Sequence, residues 1–408
     1  MTQTMHLVEK HVVRRNSPMW YEIDNLAFKS KNLYNAANYI IRQNFFETGN
    51  IPPYCYMAKR MQSEESYRDL PSKVSQQVLR LLDRNWKAWT EALKAYVKTP
   101  SAFIGKPRIP RYKKKQEGRN LLVYTVQAIS KVKLREGLIH PSGTSLLIPT
   151  KQTQINEVRI VPRLDYYSIE VIYEEQLEQK VTGDYAASID LGLNNLATVT
   201  SNQPGFVPYL VNGRPLKAMN AYWNKKTAKL KSHLPKSIYT STAIQKLATK
   251  RNFKVDDYLH KASRYIINDL VQRNISTLIV GKNDNWKQNC KLGKKNNQNF
   301  VNIPHSRFVN MLIYKAKLVG ITVIVTEESY TSKASFLDQD EIPIYGKVTS
   351  PKFSGRRVSR GMYKTKDGRR INADVNGSLN ILSKGFPNAF SNGIQGVVVH
   401  PIKIYLEN

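Results

Sequence analysis

The chain has 408 residues, of which 41% are hydrophobic, so it carries enough apolar material for two or three folded domains. Lys and Arg number 63 against 31 Asp and Glu, and a net charge of +32 with ordinary apolar content indicates a polyanionic partner, above all nucleic acid, rather than disorder. The two cysteines, Cys55 and Cys290, cannot form a disulfide framework or a four-cysteine zinc site, and the sequence has no signal-peptide or membrane-length apolar run. We therefore expect a cytoplasmic protein with no membrane partner.

The first hundred residues predict a strand followed by two long helices. Residues 6–13 alternate weakly between apolar and polar side chains, as in a strand. Residues 25–46 and the residues from Pro71 onward repeat apolar side chains every three or four positions, as in amphipathic helices. The second helix includes Trp86 and Trp89 on its apolar stripe. We expect these tryptophans in a helical core, and direct base stacking is the alternative.

A basic segment, GKPRIPRYKKKQEGR, follows these helices at residues 105–119. Its two prolines prevent a regular helix and favour an extended strap. A solvated surface is the simpler interpretation, but the charge of the whole chain and the interleaved Tyr112 favour phosphate contact. The candidate nucleic-acid contacts in this strap are Lys106, Arg108, Arg111, Lys113, Lys114 and Lys115.

Residues 121–174 change to short β-rich pieces, at 122–128, 146–149 and 167–173, separated by Gly and Pro turns. This pattern predicts a small barrel or sheet. The polar segment EEQLEQKVTGD then marks a domain boundary near 176–184.

The second half has the element order of a ribonuclease H-like domain. Three linked strands precede helices, a strand, a helix, a strand and a last helix. The expected strands are 186–191, 196–201, 208–212, 277–280 and 321–326, with a helix at 308–318. In such a domain the first strand is central, and the fourth and fifth strands lie on the same side of it.

Acidic residues end two of these strands and begin the last helix. Asp190 ends the first strand, Glu327 and Glu328 follow the fifth, and Asp374 precedes an apolar helix. Each aspartate alone has an ordinary explanation, since Asp190 could cap a turn and Asp374 could be a helix N-cap. Together, carboxylates from separate strands and a helix can bind two Mg²⁺ ions across a scissile phosphate.

At this point the chain resembles a known family. The segments IDLGLNNLATV, YLVNGRPL, HKASR, GKNDNWKQ, KKNNQNFVNIPH, ESYTSKASF, SRGMYK and NADVNGSLNIL occur in the order found in the TnpB proteins of insertion sequences, also called OrfB transposases. The resemblance covers about residues 181–384 and extends to the basic strap. It implies an RNA-guided DNA endonuclease with a helical recognition lobe, a wedge-like β-barrel and a RuvC-like nuclease domain. The implied partners are a guide RNA from the transposon end and double-stranded and single-stranded target DNA.

The resemblance assigns the catalytic and metal-binding roles to Asp190, Asp374 and a third acid. Many relatives carry that acid at the end of the fourth strand, where this chain has Gly281 and Lys282. A subset of the family is similar in carrying it just before YTS, which here is Glu328. Glu328 is therefore the expected third ligand of Mg²⁺, for which Mn²⁺ may substitute, and Glu327 and Asp284 are the alternatives.

The family's zinc-binding cysteines are missing from this chain, so zinc is not expected. The segment after YTS is expected to keep its shape by packing the apolar side chains of Phe336, Leu337, Ile342, Ile344, Tyr345, Phe353 and Tyr363. Basic residues of this segment and of the loop before it are further candidate nucleic-acid contacts: Lys287, Lys294, Lys295, Arg356, Arg357 and Arg360.

The sequence thus predicts an α+β multidomain protein. We expect a wedge-like barrel from 1–15 and 103–180, a helical lobe at 16–102, and a nuclease domain from 181–328 and 371–384. An insert at 329–370 would replace the zinc finger, and 385–408 would form a C-terminal tail.

Two functional hypotheses remain at this level: a magnesium-dependent guided endonuclease, and a guided DNA-binding protein without nuclease activity. A transposase that itself moves DNA is disfavoured, since the seven histidines form no HxH or HxxH pair.

Overall fold

A computed structural model describes residues 4–177, 181–282, 303–348, 350–359, 361–391 and 393–406. The chain divides into two compact units, which we call the N-terminal unit (Thr4–Glu175) and the C-terminal unit (from Gln176 onward). Both mix helices with sheet, so the protein has the predicted α+β composition. None of the described helices is both long enough and apolar enough to cross a membrane.

The N-terminal unit is built from two long helices, three short ones and six strands. Its helices are α1 (Trp20–Thr48), α2 (Tyr54–Met61), α3 (Glu65–Arg68), α4 (Ser72–Lys98) and α5 (Lys131–Arg135). Its strands are β1 (Thr4–Arg14), β2 (Leu122–Thr125), β3 (Leu138–Ile139), β4 (Ile148–Pro149), β5 (Glu157–Pro162) and β6 (Tyr166–Gln176). Single 3₁₀ turns cover Pro100–Ala102 and Val126–Ala128.

One apolar core serves the helices and the sheet of this unit. Trp86 is fully buried in it, donates its Nε1–H to Asn38 Oδ1 at 3.0 Å and packs against Phe45, which also contacts Trp89. Trp86 is therefore a core residue, as the first of the two interpretations expected, and Trp89 is half-buried against the same core.

The predicted barrel is an open sheet. Four strands pair in the order β1-β6-β5-β2, and β3 pairs with β4 separately. Within residues 4–177 the strands β1 and β2 are therefore edges and do not close on each other. The short strands and turn residues were correctly recognised, but the sequence contains no signal for closure, which depends on pairing between strands far apart in the chain.

The described residues of the C-terminal unit form a six-stranded sheet, a small three-stranded sheet and four helices. Its strands are β7 (Tyr185–Leu191), β8 (Asn195–Ser201), β9 (Tyr209–Asn212), β10 (Ile275–Gly281), β11 (Thr322–Thr326), β12 (Arg356–Ser359), β13 (Met362–Lys364), β14 (Arg370–Asn372) and β15 (Ile402–Ile404). Its described helices are α6 (Arg214–Ser232), α7 (Thr242–Gln272), α8 (His305–Leu318) and α9 (Ala373–Gly385).

The large sheet has the order β11-β10-β7-β8-β9-β15. β7 is inside the sheet, with β10 and β11 parallel to it on one side and β8 antiparallel on the other. This is the strand order that the sequence predicted for a ribonuclease H-like domain. The sixth strand, β15, pairs in parallel with β9 and comes from the segment that the sequence assigned to a C-terminal tail.

Helices cover the two faces of this sheet. Side chains of α7 and α8 share a core with Ile189 and Val280, and side chains of α9 pack with Ile279 on the other face. Small residues let α9 lie close to the sheet. A side chain at Gly385 would begin 2.5 Å from Ile279 Cγ2, and Ser378 hydrogen-bonds to the backbone of β7 and β8.

Candidate active site and nucleic-acid surfaces

Asp190 lies on β7, on the sheet face that α9 covers. A Cβ atom at Gly377 of α9 would lie 2.9 Å from Asp190 Oδ2, so the glycine makes room for this carboxylate. Burial raises the pKa of Asp190 well above its ordinary value, and the negative charges of Glu328 and Asp374 raise it further, against the opposing effect of Arg357. The pKa of Asp190 thus reflects a crowded set of carboxylates.

Asp374 is in the first turn of α9, but it is not the helix cap. The N-cap is Asn372, whose Oδ1 accepts hydrogen bonds from the backbone N–H groups of Asp374 and Val375. The Asp374 carboxylate instead accepts a 2.7 Å hydrogen bond from Asn195 Nδ2 and lies 3.5 Å from Arg357. The capping interpretation of Asp374 is therefore wrong, and its carboxylate is directed to neighbouring side chains.

Glu328 follows β11 and occupies space next to Gly281, the last residue of β10. A Cβ atom at Gly281 would lie only 2.9 Å from Glu328 Oε2. The carboxylate of Glu328 thus lies where a side chain at position 281 would begin. Burial raises the pKa of Glu328 to about 7, with a further contribution from Glu327 and an opposing one from Lys384.

Glu327 is engaged elsewhere. Its carboxylate forms an ion pair with Lys384 of α9 and accepts a 2.7 Å hydrogen bond from the backbone N–H of Ser329. Burial by itself would raise the pKa of Glu327, but its hydrogen bonds with Lys384 and Ser329 lower that pKa below its ordinary value. Glu327 therefore has the environment of a structural ion pair, and Glu328 is the residue whose charge acts on Asp190. Asp284, the other alternative, lies outside the described residues.

Asparagines of α9 hold the segment that follows Glu328. Asn376 Nδ2 donates to Ala334 O at 2.7 Å, and Asn380 Nδ2 donates to Thr331 O at 2.8 Å. Thr331 in turn donates its hydroxyl to Glu328 O at 2.8 Å. The same helix thus carries Asp374, makes room for Asp190 and anchors the chain beside Glu328. Neither these two asparagines nor Asn195 was predicted as a site residue from the sequence, although the four-residue spacing of Asn376 and Asn380 on one helix was a usable signal.

The three acids are neighbours without forming a closed set of ligands. In the part of the chain that the structure describes, no group of three His, Cys, Asp or Glu side chains is spaced to hold one metal ion. Asp190 is the common member, because both Glu328 and Asp374 act on its pKa. The donor chemistry suits Mg²⁺, which prefers carboxylate oxygens, and mutual repulsion among these half-buried carboxylates is what a bound cation would relieve.

The basic strap is extended, and side chains of α1 and α4 hold its backbone. Asn35 exchanges two hydrogen bonds with the backbone of Lys113, Lys31 Nζ donates to Lys115 O at 2.6 Å, and Trp89 Nε1 donates to Pro107 O at 3.3 Å. These bonds fix the strap while leaving most of its cations in solvent. The exposed ones are Lys106, Arg108, Arg111, Lys114 and Lys115.

Two lysines of the strap are less available than the sequence suggested. Lys113 is half-buried, its ammonium lies 5.2 Å from the centre of the Tyr34 ring, and burial lowers its pKa. Lys114 forms a 2.9 Å ion pair with Glu117.

Arg356 and Arg357 lie on β12 of the small sheet, and Arg357 is the residue that approaches Asp374. This brings one predicted nucleic-acid contact to the candidate active site. Arg360, Lys287, Lys294 and Lys295 lie outside the described residues.

Carboxylates contribute more to the shape of the insert than expected. Tyr363 and Phe336 are buried as predicted, whereas Ile344 is 53% exposed, and Tyr345 stacks on the ring of Tyr330 but remains 74% exposed. Asp340 accepts hydrogen bonds from the backbone N–H groups of Ser335 at 2.7 Å and Ser354 at 3.0 Å. Short polar side chains in turns bond the local backbone in this way, which binary apolar patterning does not reveal.

Comparison with known proteins gives two family models. OrfB_IS605, described as a probable transposase, matches residues 167–287, and the Cas12f1-like TNB domain matches residues 305–381.

TnpB-like protein ORF457 of Acidianus two-tailed virus is 22% identical over 436 residues, covering 94% of this chain and 85% of the viral protein. TnpB-like protein MJ0751 of Methanocaldococcus jannaschii is 28% identical over 119 residues, or 29% of this chain and 43% of that protein. Among solved structures, a complex of Cas12f1 with sgRNA and target DNA is 14% identical with a TM-score of 0.35, covering 94% of this chain and 100% of that one.

Proposed function

The chain is a TnpB-like protein, and we propose that it is an RNA-guided DNA endonuclease of a transposon. In this proposal it cleaves double-stranded DNA next to a short flanking motif by metal-dependent phosphodiester hydrolysis. The proposal is supported chiefly by the placement of Asp190 on β7, Glu328 after β11 and Asp374 in the first turn of α9, where the charges of Glu328 and Asp374 both act on the pKa of Asp190. The β7–β11 sheet and its helices would be the RuvC-like nuclease domain.

The proposed ligands of two Mg²⁺ ions are Asp190, Glu328 and Asp374, with Asp190 shared because it interacts with both of the others. Mg²⁺ would activate the attacking water and stabilise the leaving oxygen. Asn195 donates a hydrogen bond to the Asp374 carboxylate, and Arg357 forms an ion pair with it, so these two residues would position this ligand. Lys384 pairs with Glu327 and opposes the effect of the Glu327 charge on Glu328.

The proposed partners are a guide RNA from the transposon end and target DNA, double-stranded before opening and single-stranded afterwards. The net charge of +32 and the exposed cations of the strap support a polyanionic partner. In a guided effector, base pairing with the guide reads the sequence, while the protein reads a short flanking motif and the shape of the heteroduplex.

A nuclease-silent guided DNA-binding protein is the second candidate. It is favoured by the glycine at position 281 and by the engagement of Asp374 with Arg357 and Asn195. The two candidates share every expected binding property and differ only in cleavage.

One experiment tests the function and separates the candidates. The full-length protein is purified, the RNA that copurifies with it is sequenced, and the complex is given a duplex that matches the guide. We expect cutting with Mg²⁺ or Mn²⁺ and none in EDTA, while Asp190→Asn retains guided binding without cutting. Guided binding by the unmodified complex without cutting in either metal would select the silent candidate. A protein that carries no RNA and binds no matched target would contradict both.

A further inference from the structure

A groove of about 470 Å³ opens beside Asp374 in the C-terminal unit. This volume lies within the roughly 300–1,000 Å³ that is usual for ligand sites. The turn after β7, the start of α6 and the strand β15 contribute to its lining. Asp374 is the one acidic side chain among the described residues that line it, against three cations, Arg214, Arg357 and Lys403. The groove therefore favours an anionic ligand.

A single row of paired residues connects this groove with the carboxylates. Asp190 on β7 pairs with Thr198 on β8. Thr198 pairs with Leu210 on β9, and Leu210 pairs with Lys403 on β15. Because paired residues of neighbouring strands point to the same face of a sheet, Lys403 and Asp190 lie on one face.

The strand spacing decides which part of a substrate Lys403 can reach. Three steps of about 4.8 Å place Lys403 about 14 Å from Asp190 across the sheet. Successive nucleotides of one strand in a duplex are about 3.4 Å apart along the axis. At this spacing 14 Å corresponds to about four nucleotides, so Lys403 is too far for the phosphate that reacts at Asp190 and can reach a nucleotide a few positions away on the same strand.

Tyr405 adds an aromatic surface to the same groove. It follows β15, two residues after Lys403, and residues two apart in extended chain share a side. Its side chain is 69% exposed. Aromatic rings beside cations bind single-stranded nucleic acid without sequence preference, because every base has a face that can stack.

We propose that this groove holds one nucleotide of single-stranded DNA a few positions from the scissile phosphate, with its base stacked on Tyr405 and its phosphate held by Lys403 and Arg214. The inference rests on the proposed function, which supplies the DNA substrate. It assigns the C-terminal strand β15, an edge strand of the sheet, to the substrate site.

The first test maps the contact without requiring cleavage. The full-length complex with its guide RNA is bound in EDTA to matched single-stranded DNA that carries 5-iodouracil at one position, and each position is tried in turn. Irradiation should cross-link one or two adjacent positions to Tyr405. Cross-links that omit residues 401–406 at every position would overturn the assignment.

The second test compares two double variants in steady-state cleavage of the same DNA. Lys403→Ala with Tyr405→Ala should raise KM about tenfold while kcat stays within about twofold, because the contact holds substrate and transition state alike. The control is Lys236→Ala with Tyr239→Ala, which removes an exposed cation and an exposed tyrosine of the same unit and should leave both constants unchanged.

The outcomes separate this inference from the proposed function. If the unmodified complex cuts its target and the two double variants have equal KM values, the groove assignment fails and the nuclease assignment stands. If the unmodified complex binds and cuts nothing, the proposed function fails and the groove assignment fails with it.

Discussion

Glu327 and Glu328 are adjacent in sequence and have opposite environments. Glu328 is half-buried next to Gly281 and acts on Asp190, whereas Glu327 pairs with Lys384. We expect Glu328→Gln to slow metal-dependent cleavage by roughly 100-fold, about 3 kcal/mol, because an amide neither neutralises a cation nor binds it as a carboxylate does. Glu327→Gln, the matched control, should retain cleavage within about threefold, since its charge is used for a structural pair worth about 1 kcal/mol. Equal losses in both variants under single-turnover conditions would contradict the assignment.

Gly281 is the residue that makes the position of Glu328 possible. A Cβ atom there would meet Ile381 Cδ1 at 2.6 Å and Glu328 Oε2 at 2.9 Å. Gly281→Ala should therefore displace the carboxylate and lower the cleavage rate by about tenfold or more, while guided binding of the target is unchanged.

The matched control for this change is Gly205→Ala. Gly205 has open space around its Cβ position, so its substitution should affect the backbone of a loop but not cleavage. Wild-type rates for Gly281→Ala would show that the glycine has no role in placing Glu328.

The raised pKa of Glu328 predicts that the stability of the metal-free protein depends on pH. A bound metal ion should reduce this dependence. Burial raises the pKa of Glu328 from its ordinary value to about 7, so between about pH 4.5 and 7 the folded protein binds more protons than the unfolded chain. Without metal, stability must then fall as pH rises through this range, by on the order of 3 kcal/mol for Glu328. Mg²⁺ binds the ionised form, so its affinity should increase up to about pH 7 and above.

Thermal unfolding in EDTA at pH 5 and pH 8 measures this effect. The loss of Tm between the two pH values should be smaller in Glu328→Gln than in the unmodified protein, and Mg²⁺ should restore part of the loss at pH 8. The same loss of Tm in both proteins would show that Glu328 is not protonated in the metal-free fold.

At the scale of elements, the insert is held by hydrogen bonds where the resemblance would place a metal ion. Asp340 accepts from the backbone N–H groups of Ser335 and Ser354. Asp340→Ala leaves these donors without an acceptor, at a cost of about 1–3 kcal/mol, so hydrogen exchange across residues 335–354 should accelerate. Glu341→Ala, which removes the next acid in the chain, should leave exchange unchanged. Exchange that responds to zinc chelation rather than to Asp340→Ala would contradict this account.

The helix α9 couples the sheet to the insert. Its small residues approach the sheet at Asp190 and Ile279, and its asparagines bond the backbone that follows Glu328. The face of one helix therefore sets the relative position of all three carboxylates. Under the proposed function, an acid at the end of β11 would replace one at the end of β10, because the two strand ends pair with each other through Gly281 and Thr326.

At the scale of the whole molecule, the excess of 32 positive charges predicts strongly salt-dependent binding of RNA. Each phosphate contact contributes about 0.7–0.9 to the slope of log affinity against log salt. Arg108→Ala with Arg111→Ala, in the exposed strap, should therefore reduce that slope by about 1.5. Arg159→Ala should leave it unchanged, because Arg159 is paired with Glu157. An unchanged slope in the strap variant would remove the strap from the nucleic-acid surface.

The sequence by itself determined the elements and the candidate acids. Apolar spacing located α1 and α4 and the five strands of the nuclease-like order, because helix and strand periods are local properties. Net charge indicated the class of partner because it follows from composition alone and does not depend on tertiary contacts. Asp190, Asp374 and the pair Glu327 and Glu328 were candidates because of their positions at the ends of these elements, and the family resemblance selected Glu328.

Only the tertiary structure decided relations between distant residues. It distinguished Glu328 from Glu327, opened the predicted barrel into a sheet, and paired β15 with β9 to complete the six-stranded sheet. It also showed Asn195 and Arg357 beside Asp374. These relations depend on strand pairing and helix packing between segments far apart in the chain. The local pattern of side chains does not specify which distant residues come into contact.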